Sequence, residues 1–207
     1  SSAELALAKP RTADEYRKHL EKCERAAQRM RQLVDSLLLL ARLDAGAAKT
    51  DWAVCQLDRI VNECVELLRP LVAEQSLELD IHVAACQVMG NAVLLGQVVT
   101  NLLTNAVHYN RPGGQVVIRL EPTSDAVQLT IQDSGIGIPE DQIPSLFDRF
   151  FRVDKARSRQ VGGSGLGLAI CRRILDAHHA HVEVTSQIDA GTQVVVTFPR
   201  VGPLHSA

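Results

Sequence analysis

The chain of 207 residues carries 22 Lys and Arg against 24 Asp and Glu, a formal charge of -2, with 46% hydrophobic and 22% charged residues. These are ordinary globular values, and they leave no basic excess of the kind that marks nucleic-acid binding. The length suits one sizeable domain, or one domain with a smaller element beside it.

Aromatic residues are only 3%, so the core is expected to be built from Leu, Val, Ile and Ala. The five cysteines, Cys23, Cys55, Cys64, Cys86 and Cys171, form no C-x-x-C pair, which argues for reduced thiols over a zinc site or disulfide framework. No segment reaches the ~18 uninterrupted apolar residues of a membrane span, and no signal peptide opens the chain. A soluble, cytoplasmic chain without membrane contact of its own is expected.

In chain order, the short piece "SSAELALAKP" is helix-like and stops at Pro10. A long helix is expected over 12–44. "TADE" is a capping box, in which Thr12 accepts from the Glu15 amide and Glu15 reaches back. Behind it Tyr16, Leu20, Cys23, Ala27, Met30, Val34, Leu37 and Ala41 alternate steps of four and three. That period of 3.5 marks the seam of a coiled coil or helical bundle, whereas a helix lying on a globular core follows 3.6. A hairpin of two such helices, doubled in a dimer, gives a four-helix bundle.

"DAGAAKT" (44–50) reads as a linker, after which helices alternate with strands. The pattern predicts an amphipathic helix over 57–75, with Pro70 kinking or ending it. Strands follow at 77–83 and 86–90, then a mostly apolar helix over 91–110 opened by the N-cap Asn91. Strands at 115–121 and 126–133, a helix at 165–179, and a hairpin of 181–187 with 192–199 complete the pattern. Strands on one side and helices on the other give an α+β sandwich, with domain limits near 1–46 and 51–200.

Two glycine-rich stretches, "DSGIGIPE" and "GGSGLGL", suggest phosphate contact. No G-x-x-x-x-G-K-[ST] occurs, and Leu168 and Glu140 stand where a third dinucleotide-fold glycine belongs. Asp133 ends a strand beside Gly135 and Gly137. A carboxylate there suits an adenine amine as acceptor, and the glycines let backbone pass close to a flat ring. Gly162, Gly163, Gly165 and Gly167 precede a helix whose free amides favour an anion. Arg149, Arg152, Lys155, Arg157 and Arg159 place cations between the two stretches. Asn101 and Asn105 share a helix face, and an amide oxygen is a hard ligand suited to Mg²⁺.

"NLLTNAVHYN", "DSGIGIP", "FDRFFR" and "GGSGLGLAI", in that order, resemble the N, G1, F and G2 boxes of bacterial sensor histidine kinases, of the Bergerat-fold (GHKL) superfamily. The resemblance implies that Asn105 holds Mg²⁺ and that Asn101, His108 and Tyr109 line the phosphate side of one helix. It implies that Asp133 binds adenine, that Gly135 and Gly137, with Ile138, form the pocket floor, and that Thr192 supports Asp133 through water. Arg152 and Lys155 would serve the terminal phosphates. Phe150 and Phe151 would anchor a short polar lid, 152–162, expected to be mobile without nucleotide. Gly163, Gly165, Leu166 and Gly167 would close over the triphosphate.

In hydrolysing members of the superfamily a glutamate activates water four residues before the magnesium asparagine. Here that position is Asn101, and an amide is no general base, so the resemblance implies phosphotransfer from Mg·ATP to a histidine and thence to an aspartate of a response regulator receiver domain. A GHKL ATPase and a non-catalytic nucleotide-binding module stand as alternatives.

The family's acceptor histidine lies in a His-Glu-x-x-x-Pro motif, and none of the seven histidines here is followed by glutamate. The reading is a chain that begins midway through the first hairpin helix, past the acceptor. Its homodimer would be weakened accordingly, and its parent anchored in the inner membrane. His19 reads as a solvated helix residue. "HHAH" (178–181) reads as turn histidines where the family has His-Gly-Gly, with His179 needing a left-handed backbone to keep the helix cap.

Overall fold

A computed structural model describes residues 12–46, 52–153 and 164–200, in two compact units, 1–39 and 40–207. Helix α1 (Ala13–Asp44) opens on the expected capping box: the Thr12 amide donates to Glu15 Oε2 at 2.9 Å, and the Glu15 amide to Thr12 Oγ1 at 3.3 Å. Within the first unit its seam residues Tyr16, Leu20, Met30, Val34 and Leu37 are exposed, which leaves an apolar stripe along the helix.

The second unit is built on a five-stranded sheet in the order β2 (Glu78–Val83), β4 (Gln115–Pro122), β5 (Ala126–Asp133), β7 (Gly191–Pro199), β6 (His181–Gln187). Only β2 and β4 run parallel. A parallel pair needs a long crossover, and the crossover here contains β3 (Gln87–Gly90) and helix α3 (Ala92–His108). Period-two patterning buries Val116, Ile118 and Leu120 of β4 and Val127, Leu129 and Ile131 of β5. Helices α2 (Leu57–Glu74), α3 and α4 (Gly167–Ala177) supply the facing half of the core. Leu57 and Val61, Leu95 and Val98, and Ile174 and Leu175 are all 0% exposed. The α+β sandwich expected from the alternation of elements is the one observed.

Asn91 caps α3 as expected, its Oδ1 accepting from Val93 N at 3.0 Å and Leu94 N at 3.1 Å. At the other end of α4, His179 adopts φ +53°, with His179 N donating to Asp176 O and Ala180 N to Leu175 O. That is a Schellman cap made without glycine.

Four differences from the sequence reading have local causes. Pro70 neither ends nor visibly interrupts α2, which runs on to Glu74; it lies on the solvent face, where water can satisfy the carbonyl it deprives of a donor. Residues 53–56 form β1 (Ala53–Gln56), antiparallel to β3 with Val54 opposite Met89. A 3₁₀ helix spans Glu140–Ser145 between Pro139 and Leu146. Helix α4 begins at Gly167 and not at 165, because Gly165 sits at φ +71°, outside right-handed helix.

Replacing Pro70 with alanine restores a helix amide at an exposed site while loosening the unfolded chain slightly. Pro70→Ala is expected to raise stability by on the order of 2 kcal/mol in urea unfolding. Equal stability of the two proteins would contradict a continuous α2 through residue 70.

Candidate nucleotide site

Asp133 is the fourth inward position of β5, so the alternation that buries Val127, Leu129 and Ile131 also buries a carboxylate, at 9% exposure. Its Oδ1 accepts from the Gly135 amide at 2.8 Å and from the Thr192 amide at 3.3 Å. Thr192 is available because β7 pairs with β5 in a register that sets it opposite Asp133. Burial pushes the Asp133 pKa up to about 6, against the pull of the two amides. Among the described residues both bonds fall on Oδ1, which leaves Oδ2 for an incoming donor.

The loop after β5 is threaded between the end of α3 and the β6–β7 hairpin. Ile136 N donates to Tyr109 O at 3.1 Å, and Asp189 N donates to Ile136 O at 2.9 Å. A side chain at Gly135 would strike the Tyr109 carbonyl and the Asp133 carboxylate, and one at Gly137, at φ +70°, would strike the Gln187 carbonyl. The glycines are therefore needed by packing against protein as well as by any ring beside them. Ile138 is held by its amide, which donates to Ser186 Oγ at 2.8 Å.

Ser186 was not singled out from sequence. Its Oγ also donates to Gly191 O at 2.9 Å and pairs with Thr192 Oγ1 at 2.8 Å. Thr192 thus reaches Asp133 through its backbone, while its hydroxyl belongs to Ser186. Asn110, 4% exposed, was likewise unread. Its Nδ2 donates to Gln115 O, and its Oδ1 accepts from Arg111 N and Ser134 Oγ, tying the end of α3 to β4 and β5. The "YNRPGG" turn signal around it was the available clue.

On the opposite side, α3 keeps Asn101, Asn105 and His108 half-buried along one stripe, while Leu102, Leu103, Ala106 and Val107 are buried. Asn101 Nδ2 donates to the Gly167 carbonyl at 3.3 Å, which joins α3 to the first turn of α4. Asn105 has no side-chain partner among the described residues and is left available. Burial holds the His108 pKa below its ordinary value, so the ring is neutral at pH 7. The first turn of α4 carries no acidic residue, and its cap residue, Leu166, supplies no side-chain acceptor. Its leading amides and dipole therefore face an anion-favouring space.

One further cue points to an anion. Arg152 Nη2 is buried with no hydrogen-bond partner among the described residues. Phe150, at φ +64°, donates its amide to Gly165 O at 2.8 Å, which binds the "FDRFFR" stretch to the second glycine cluster. The Phe150 ring itself is 58% exposed, so the anchoring contact is made by backbone. Lys155 and Gly163, with Gly162, Arg157, Arg159 and most of the lid at 152–162, lie outside the described residues.

The raised Asp133 pKa fixes the sign of a pH effect. Folded protein holds this proton more tightly than unfolded chain. The contribution to stability is full below the unfolded value of 3.8 and is lost as pH rises through about 6. Asp133→Asn is therefore expected to be more stable than the wild type at pH 7.5 without nucleotide, with the advantage shrinking at pH 5. Urea unfolding at both pH values measures it, and an Asn variant no more stable at pH 7.5 would contradict a desolvated carboxylate.

The family model described as "Histidine kinase-, DNA gyrase B-, and HSP90-like ATPase" matches residues 90–202, and the "His Kinase A (phospho-acceptor) domain" model matches 1–46. Sensor histidine kinase RppB of Synechocystis is 36% identical over 182 residues, 87% of this chain and 40% of that protein. Sensor histidine kinase CusS of Escherichia coli O157:H7 is 33% identical over 202 residues, 98% of this chain and 42% of that protein. The chain thus spans about two fifths of these curated relatives. Among solved structures, a mycobacterial sensor histidine kinase, MprB, superposes with a TM-score of 0.64 at 29% identity, covering 73% of this chain and 99% of that one. ShkA, solved in complex with AMPPNP, shares the fold with a TM-score of 0.76 at 23% identity, covering 97% of this chain and 42% of that one. With Asp133, the two glycine clusters and the amide-lined face of α3 in the positions these matches cover, the chain belongs to the histidine kinase-, DNA gyrase B- and HSP90-like ATPase family, on its sensor histidine kinase branch.

Proposed function

We propose that residues 51–200 bind Mg·ATP and donate its γ-phosphoryl group to a histidine of a dimerisation hairpin to which residues 1–46 belong. The phosphoryl group then passes to an aspartate of a response regulator receiver domain. The observation that carries the choice of transfer over hydrolysis is that α3 contains no Asp or Glu at all. Along the stripe beside the phosphates stand two amides and a neutral imidazole, and none of them matches the carboxylate that the superfamily's hydrolases use to activate water.

In this reading Asp133 Oδ2 accepts from the adenine amine, and the backbone of Gly135, Gly137 and Ile138 forms the floor. The α4 amides from Gly167 onward and the Arg152 guanidinium, whose Nη2 is buried, hold the phosphates, with Gly165 and Leu166 of the second glycine stretch, His108 of α3 and Tyr109 at its C-cap completing the wall; Lys155 and Gly163 are assigned to the same task by the family resemblance alone. Asn105 would hold Mg²⁺, which when bound offsets charge on the β- and γ-phosphate oxygens. A neutral imidazole nitrogen of the hairpin histidine attacks the γ-phosphorus; the new P–N bond forms as the bridging P–O bond breaks, ADP leaves with that electron pair, and the proton on the other ring nitrogen passes to solvent. Asn101 keeps α3 and α4 in register through Gly167. The exposed α1 seam suits a homodimer, and anchorage of a longer parent in the inner membrane belongs to the same reading. Among the described residues no helix is long and apolar enough to cross a membrane.

Asn105→Ala is expected to weaken ATP binding about tenfold in Mg²⁺ and little in EDTA, by calorimetry. An equal loss under both conditions would remove Asn105 as the metal ligand. With γ-labelled ATP and a separate hairpin carrying a histidine in the His-Glu-x-x-x-Pro context, label should appear on the hairpin as acid-labile, alkali-stable phosphate. The chain alone should stay unlabelled. Rapid release of inorganic phosphate without a labelled hairpin would instead support the ATPase alternative.

A further inference from the structure

His178 lies outside the site just described, at the C-terminal cap of α4, and is 2% exposed. Its ring nevertheless makes a chain of contacts that ends on α3. The Asn91 amide donates to His178 Nε2 at 3.1 Å, which requires that nitrogen to be unprotonated. The proton then sits on Nδ1, which donates to Ile174 O at 2.7 Å. One ring face stacks on Trp52 with centroids 5.0 Å apart and planes 20° from parallel. The space the ring fills is left by Gly90, where a Cβ would lie 2.6 Å from Nε2.

We propose that His178 is a positioning residue for the nucleotide site, fixing the start of α3 and so the placement of Asn101, Asn105 and His108 along it. The proposal rests on the nucleotide reading above. Asn91 is the cap on which the first turn of α3 is built, and His178 holds the backbone of that cap. At the far end α3 is tied by Tyr109 O to Ile136 N, and in its body by Asn101 to Gly167. Loss of the first attachment lets the helix slide against the other two. Burial, with the neighbouring His179, keeps the imidazole neutral and so preserves the acceptor, outweighing the Ile174 bond that favours the charged form.

The test uses the whole chain, with Mg·AMPPNP affinity by calorimetry, thermal melting, and hydrogen exchange at the Asn91 amide. His178→Phe keeps an aromatic ring against Trp52 but has no acceptor, whereas His178→Gln offers an oxygen near the Nε2 position. The Phe variant should melt cooperatively and bind about tenfold more weakly, with faster Asn91 exchange, while the Gln variant recovers affinity to within about twofold of wild type. A folded Phe variant that binds like the wild type would overturn the proposal. So would a wild-type Asn91 amide that exchanges as an unprotected loop does, whether or not the Phe variant folds. A wild type that binds no Mg·AMPPNP would overturn the nucleotide reading, and this proposal with it.

Discussion

A carboxylate cannot be left bare among apolar side chains, and the pocket end of this domain is arranged around that constraint at Asp133. The alternation of β5 delivers the side chain inward after Val127, Leu129 and Ile131. Donors must then be brought to it. One is the Gly135 amide, which exists in reach only because the chain turns back at once. The other is the Thr192 amide, which exists in reach only because β7 is the neighbour of β5 in that register. The two amides do not fully offset the burial, and the pKa remains raised. What remains is an acceptor short of donors, a state that a buried amine from a ligand relieves.

The second organising element is α3, which meets the G1 loop, α4 and the start of the domain along its length. Its apolar face from Leu95 to Val107 is buried, so its orientation about its own axis is set, and the amide-bearing stripe is turned toward α4 at Gly167. Its position along that axis is set by small polar attachments: Asn91, Asn101 and the Tyr109 carbonyl. The division matters for function. Burial of these apolar side chains tolerates a small slide, whereas a metal ligand and phosphate donors do not.

What was legible in the sequence was local. The Thr12–Glu15 capping box and the Asn91 cap are written within four residues and form as read. Strand and helix periods gave the layer order. That Gly135 and Gly137 leave room beside Asp133 was legible from spacing, although they answer to the Tyr109 and Gln187 carbonyls as much as to a ligand. The unread parts depend on partners far along the chain. Strand β1 is four residues, too short to show a period, and exists because β3 lies beside it. Ser186 looks like any outward strand serine until the hairpin sets it against Thr192 and Ile138. His178 invited a turn reading from "HHAH", and only the fold shows that its partner is a backbone amide 87 residues earlier. Pro70 was over-read, since the rule against proline in helices weakens where the freed carbonyl meets water.

The account stands on Asp133 being a desolvated carboxylate that receives the base of the nucleotide. Carbon-13 NMR of its carboxyl resonance against pH, with and without saturating ADP, observes that group alone and is blind to the titration of the phosphates. The account predicts a free-protein pKa near 6 that falls when ADP is bound, because the adenine amine satisfies the charged form. A free-protein pKa at the ordinary value, or one that ADP leaves unmoved, would contradict it.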